Sequence, residues 1–248
     1  MNGALLIARY TRFEMGRILR NPRFLIFSMA LPVIMFAAFT ATDPTDTLGP
    51  ITVGPYIMIS MASFGAMMAV VAIGTRIALE RAGGWSRQLR LTALTGPQYL
   101  VCKVLGGFTL ALPALIAVFI EAVVLGRAHL SVGTYVEAGI WVMIGMVPLA
   151  ALGILLGYLV RADNAGQLIG GMTSLMALAG GIWVPVEQFP RWLADVVKML
   201  PIYWSADAGR AVIAGSWIGW HGLLVLALWT ALLSRLAVRF YSRDQLRA

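Results

Sequence analysis

The apolar residues of this chain gather into six blocks of 18 to 23 residues, at 24–41, 55–75, 104–125, 138–160, 165–184 and 217–234. A helix of that length crosses the roughly 30 Å hydrocarbon core of a bilayer. Backbone groups in hydrocarbon must be satisfied internally, so each block is expected to be helical. The expected fold class is therefore all-α integral membrane, with six transmembrane helices forming a single domain, 1–248. Composition agrees, since 60% of residues are hydrophobic and 12% charged, against about 25% charged in soluble domains. Pro32, Pro113 and Pro148 fall inside three blocks, and kinks are expected there.

A net charge of +8 raises the question of a nucleic-acid partner, but the basic residues sit beside the apolar blocks, where topology explains them. Fifteen of the nineteen Lys and Arg fall on one side, and only Arg127, Arg191, Lys198 and Arg210 on the other. The positive-inside rule then places both termini and the basic loops in the cytoplasm of a multi-pass protein of the cytoplasmic (inner) membrane. No nucleic acid is expected as a partner; membrane lipid is. A cleaved leader is not expected either, because five arginines precede the first block and five more blocks follow it.

Two segments outside the blocks are amphipathic. Within 1–23, Ala4, Ile7, Ala8, Thr11, Met15 and Ile18 recur at helical spacing, with Arg9, Arg12, Arg17, Arg20 and Arg23 in one sector and Phe13 on that basic side. This reads as a cytoplasmic interfacial helix. Within 185–201, Phe189, Trp192, Leu193, Val196, Val197 and Leu200 oppose Glu187, Arg191, Asp195 and Lys198. Pro190 suits a first turn and Pro201 a stop. That segment reads as an extracellular or re-entrant amphipathic helix between spans five and six.

Residue requirements exclude several chemistries. The two histidines, His129 and His221, both fall near the outer face, and no Gly-x-Ser-x-Gly occurs, so a nucleophile with a nearby base is not available. Glu121 is the one carboxylate inside a block and Cys102 the one cysteine, which leaves nothing to assemble a metal site or a disulfide. Without a Gly-x-x-x-x-Gly-Lys-Ser/Thr loop, any coupling to ATP must come from another subunit. No cofactor and no catalytic residue are expected.

The cytoplasmic loop 76–97 is long, basic and interrupted by a Gly pair. It carries Glu80-Arg81, Gly83-Gly84, Arg87, Leu89, Leu91 and Leu94, then Thr95-Gly96-Pro97, with Lys103 where the next block begins. On charge alone it is a surface connector meeting anionic lipid. In residue order it resembles the permease subunits of type-2 ABC transporters, whose loop after the second span carries Glu-Arg, Gly, a Leu-rich stretch and Thr-Pro. Gly96 between Thr and Pro is a departure that leaves the end of this helix open. The outer run Gly180-Gly181, Pro185, Phe189, Pro190, Trp192, Leu193 and Pro201 is similar to the same family between its last two spans, as is Asn21-Pro22-Arg23 before span one. Short loops make the daunorubicin-type drug exporters look nearest.

The resemblance implies two six-span subunits, as a homodimer or with a paralogue, and an ABC-type ATP-binding subunit under each. The 80–94 stretch would be the coupling helix, with Glu80 and Arg81 as polar contacts to the ATPase. The implied function is export of a lipophilic or amphipathic compound, whether drug, antibiotic or lipid-like. A membrane component of a sensing or resistance complex for envelope-active compounds is the alternative. A passive channel is disfavoured, because no block shows a repeated polar face.

Small residues mark close helix approach at Gly153-x-x-x-Gly157 and at Gly166-x-x-x-Gly170, continued by Ser174, either within the subunit or between subunits. Glu121 lies about one turn from the outer end of its block, and either reaches the interface or faces the transport pathway. Met58, Met61, Phe64, Met67 and Met68 either face lipid or pack within the subunit, or offer an adaptable apolar surface for lipophilic substrates. Tyr203, Trp204, Trp217 and Trp220 read as an outer aromatic belt.

Overall fold

A computed structural model describes residues 3–19, 22–41, 47–48, 51–84 and 95–247. Helix α1 spans Gly3–Leu19 and α2 spans Pro22–Phe39. A two-residue hairpin, Thr47–Leu48 with Ile51–Thr52, leads into α3, Val53–Val71, and α4, Ile73–Ala82. Then follow α5 (Gly96–Val124), α6 (Val132–Gly145), α7 (Val147–Leu159), α8 (Ala165–Ala179), α9 (Arg191–Val197), α10 (Pro201–Ile213) and α11 (Gly219–Arg247).

Four stretches are long and apolar enough to cross a bilayer: α3 with α4, α5, α6 with α7, and α11, at 26 to 30 residues each. The blocks at 24–41 and 165–184 do not reach that standard among the described residues. Within α2, the described apolar stretch is Met29–Phe39. Helix α8 ends at Ala179, because Gly180 caps it and Gly181 takes φ +73, a left-handed turn that stops the helix five residues before the block does. Its 15 residues make about 22 Å of helix.

Of the three prolines, only Pro148 coincides with a break, which falls at Met146 with Pro148 in the first turn of α7. Pro113 and Pro32 sit within uninterrupted α5 and α2. In its place, the long α3–α4 unit breaks without proline at Ala72.

Helix α3 is the centre of the molecule and packs on α2, α5, α7 and α10. Without a hydrophobic drive between helices in lipid, contact depends on how closely backbones approach. A Cβ on Gly153 would lie 2.9 Å from Val70 O and Val71 Cα, and one on Gly157 would lie 2.7 Å from Gly74 O. The first small-residue motif is thus filled by packing inside this chain. Among the described residues, nothing lies within 4 Å of such a Cβ on Gly166, Gly170 or Gly171. Met58, Met61, Phe64 and Met67 are buried in the core around α3, so these side chains pack within the subunit.

Large apolar residues are exposed in rows one turn apart: Leu112, Ile116 and Ile120 on α5, Val132, Val136, Ile140 and Ile144 across α6, and Leu224, Leu228 and Leu232 on α11. In water such continuous apolar faces would drive association. In hydrocarbon they are the natural outer surface.

Candidate functional site: a charged cluster beneath the Gly pair

The last turn of α4 delivers Glu80 and Arg81 to the end of the bundle where α1, the start of α5, the end of α7 and the end of α11 meet. Lys103, about two turns into α5, is buried, and its Nζ lies 2.6 Å from Glu14 Oε1 of α1 and 2.7 Å from Glu80 Oε1. Tyr99, one turn earlier on α5, donates its hydroxyl to Glu80 Oε2 at 2.9 Å, and its ring sits 5.3 Å from the ammonium. The α1–α5 contact also includes Tyr10 edge-on to Tyr99, and Cys102 Sγ at 3.7 Å from Ile7 O.

Arg81 turns the other way. Its Nε and Nη2 donate to Asp244 Oδ1 of α11 at 3.0 and 2.5 Å. Its Nη1 donates to the carbonyls of Gly157 (3.1 Å) and Tyr158 (3.2 Å), and its guanidinium lies 5.3 Å from the Tyr158 ring. Those carbonyls belong to the last turn of α7, which has no intrahelical donors left, so Arg81 caps α7 with a positive charge at the negative end of its dipole. Gly83 and Gly84 then end α4: their N–H groups bond to Leu79 O and Arg81 O, and Gly84 takes φ +71.

Glu80 and Arg81 therefore direct their polar atoms to partners in their own chain. Arg87, Leu89, Leu91 and Leu94 lie outside the described residues. Thr95 begins the next helix rather than closing the previous one: it forms a capping box with Gln98, and Gly96-Pro97 open α5. Gly96 is there because the Tyr241 ring of α11 packs against it, leaving no room for a Cβ.

At the opposite end, the single helix expected over 185–201 is divided. Pro185 precedes a short 3-10 turn at Val186–Gln188, Phe189 is half-buried, and Pro190 caps α9. Leu193 faces partly inward, while Trp192 is exposed in a row with Val196 and Met199. Pro201 does not merely stop this helix; it starts α10, which hydropathy alone did not single out. Helix α10 packs on α6 through small residues: a Cβ on Gly209 would lie 2.7 Å from Val142 Cγ2, and one on Gly145 would lie 2.5 Å from Ser205 Cα. Trp204 and Trp229 donate their indole N–H to Lys198 O and Met199 O, tying the α9–α10 turn to α11. Gly181 O accepts from Arg210 of α10 at 3.1 Å. Glu121, near the C-terminal end of α5, sits between exposed Ile120 and Val123, and its Oε2 has no partner among the described residues.

Sequence reasoning missed Glu14, treated Lys103 as a span-entrance charge, and counted Arg210 only towards the outer charge. The available signal was a Lys or Arg inside an otherwise apolar helical face, which must find partners when buried.

Residues 26–239 match the family described as ABC-2 family transporter protein. The chain belongs to that family. It is a type-2 ABC permease, a multi-pass membrane transport subunit, and membership implies association with an ABC ATPase. A similar protein is "Putative transport permease YvfS" of Bacillus subtilis (strain 168), 27% identical over 233 residues that cover 94% of this chain and 95% of the relative. The permease thus matches its relative end to end rather than through one motif. The charged cluster lies within the family-matched region except for Glu14 and Asp244.

Proposed function

We propose that this permease is the membrane half of an exporter that moves a lipophilic or amphipathic compound outward. It crosses the bilayer six times with both termini cytoplasmic, and works as two copies, identical or paralogous, over two ATPase subunits. The observation that carries the reading is the seating of the described stem of the 76–97 loop, at the end of α4. Its stem residues Glu80 and Arg81 are bonded to α5, α7 and α11, and through Lys103 to Glu14 of α1, so a displacement of the loop by an ATPase would pull on three helices directly and on a fourth through Lys103. In this arrangement the segment beyond Gly83-Gly84, with Arg87, Leu89, Leu91 and Leu94, meets the ATPase, and the Glu80-Arg81 pair passes the motion on.

Other features support the same reading. The open face of Gly166, Gly170 and Gly171 suits close approach of a second copy. An apolar groove of about 500 Å³ between α5 and α6, lined by Phe108, Leu112, Ile116, Phe119, Ile140 and Met143, suits the lipophilic part of a cargo. The outer segment from Gly181 to Pro201 stands where cargo would leave, and Glu121 is the acidic candidate on that side.

The test is reconstitution of the permease with its ATPase. Replacing Glu80 and Arg81 by Ala is expected to leave the protein in the membrane while lowering substrate-stimulated ATP hydrolysis. Arg87→Ala, beyond the stem, is expected to lower it without altering the fold. Unchanged coupling in both would remove the loop from the mechanism, and a stable complex that never shows substrate-stimulated hydrolysis would favour a sensing role.

A further inference from the structure

The outer half of the molecule holds a buried guanidinium with no anion in contact. Arg210 of α10 is 5% exposed. Its Nη2 donates to Ser60 Oγ at 2.8 Å and to Gly181 O at 3.1 Å, and its guanidinium lies 4.1 Å from the Tyr56 ring. Among the described residues no carboxylate comes within ion-pair distance of it, and its Nε has no partner. A charge removed from water without a counter-ion is costly, and neutral acceptors and a ring face compensate it only in part.

The groups around it lack acceptors too. Tyr56 Oη, Ser63 Oγ and Trp183 Nε1 are each buried without a hydrogen-bond partner. Tyr56, Ser60 and Ser63 recur along one face of α3, the middle one already bonded to Arg210. Trp183 packs edge-on to Phe64, with ring centroids 5.3 Å apart, and is two residues from the Gly181 carbonyl that Arg210 reaches. Among the described residues, the donors left without a partner are therefore Arg210 Nε itself, Tyr56 Oη and Ser63 Oγ one turn to either side of Ser60 on α3, and Trp183 Nε1 two residues beyond Gly181. Water would satisfy single donors but would leave the guanidinium uncompensated.

We propose that Arg210, with Tyr56, Ser63 and Trp183, forms an anion-recognition site for a carboxylate or phosphate group, the acidic head of an amphiphilic cargo on its way out. Its assignment to cargo rests on the export reading; the anion preference does not. The site is about 10 Å along α3 from its outer end, deep enough for an amphiphile's head to be desolvated there. Two acids share the neighbourhood. Glu187, in the 3-10 turn, is exposed, and Asp207, one turn before Arg210, bonds Tyr203 on its own helix while burial raises its carboxyl above the ordinary range. Neither closes an ion pair with Arg210, which leaves the cation available.

The full-length permease in a neutral detergent is titrated calorimetrically with dodecyl phosphate, dodecyltrimethylammonium and inorganic phosphate. Dodecyl phosphate is expected to bind at least about tenfold more tightly than the cation of equal chain length. Trp183→Phe and Ser63→Ala remove groups that make no hydrogen bond in the free protein, so each should weaken dodecyl phosphate by roughly tenfold without lowering the melting temperature. Arg210→Lys should retain part of the affinity and Arg210→Gln none. Saturation by inorganic phosphate with the same residue dependence supports the site with a free ion as occupant. Equal affinity for the two amphiphiles, or affinity unchanged in the Trp183→Phe, Ser63→Ala double variant, overturns it. Should Arg210→Gln fail to fold, that double variant decides. Because no ATPase is present, a failed export reading leaves this measurement standing, and the reverse.

Discussion

The two ends of this permease treat buried charge in opposite ways. At the end that carries the Gly pair, Lys103 is held between two carboxylates, and Arg81 divides its donors between one carboxylate and two helix-terminal carbonyls. At the other end Arg210 has one hydroxyl, one carbonyl and a ring face, with orphaned donors alongside. A paired cluster joins elements and resists their separation. An unpaired one keeps interaction capacity for something outside the chain. Under the proposed reading, the first end transmits force and the second recognises cargo.

The largest test of that contrast is Lys103→Met. It removes the ammonium shared by Glu14 and Glu80 in a buried site, and a loss of about 3–5 kcal/mol is expected on thermal unfolding in detergent. Adding Glu14→Gln and Glu80→Gln should return much of the loss, because three neutral groups no longer need one another. A single variant as stable as its parent would show that the cluster is no staple.

Gly157→Leu is next, at about 1–3 kcal/mol, since the new side chain must enter backbone of α4. Gly170→Leu is its control: a Cβ there meets nothing among the described residues, so monomer melting should stay put while self-association, read by cross-linking or sedimentation, weakens. Loss of monomer stability in Gly170→Leu would move that face from a dimer seam to the interior.

A smaller effect, about 1 kcal/mol, is expected for Asp244→Asn, because the Arg81 pair is partly exposed and Arg81 keeps its two carbonyls. A much larger loss would place the stem's strength in α11 rather than in Lys103.

The smallest prediction concerns pH at the Arg210 end. Burial raises the Asp207 carboxyl, against the lowering effects of Arg210 and of the hydrogen bond from Tyr203. A carboxyl whose folded value exceeds its unfolded value holds its proton more tightly when folded. Its contribution is full below the ordinary carboxylate range and declines as pH rises through the raised value. Melting temperature should therefore fall slightly over that interval, and Asp207→Asn should flatten the slope. An unchanged slope would assign the pH dependence elsewhere.

Much of the fold was legible because hydropathy and helix boundaries are local properties. The apolar blocks marked four long spans, Gly83-Gly84 marked the end of α4, and Pro190 marked the start of α9. The length of α8 was not legible, since apolar residues continue to Val184 although Gly181 has already turned the chain. Helix α10 escaped notice because Ser205, Ala206, Ala208 and Gly209 are small rather than strongly hydrophobic, and they are useful only where α6 comes close. The Glu-Arg pair was visible as a motif, but its direction was not.

By itself, the sequence determined that this protein is helical, that it belongs in a membrane, and where its charges fall along the chain. The tertiary structure alone decided which charges meet. Glu14 and Lys103 are 89 residues apart, Ser60 and Arg210 are 150, and Arg81 and Asp244 are 163. A helical period specifies which residues share a face of one element. It carries no information on which other face will be pressed against it, and so none on whether a buried cation is answered within the chain or left for a ligand.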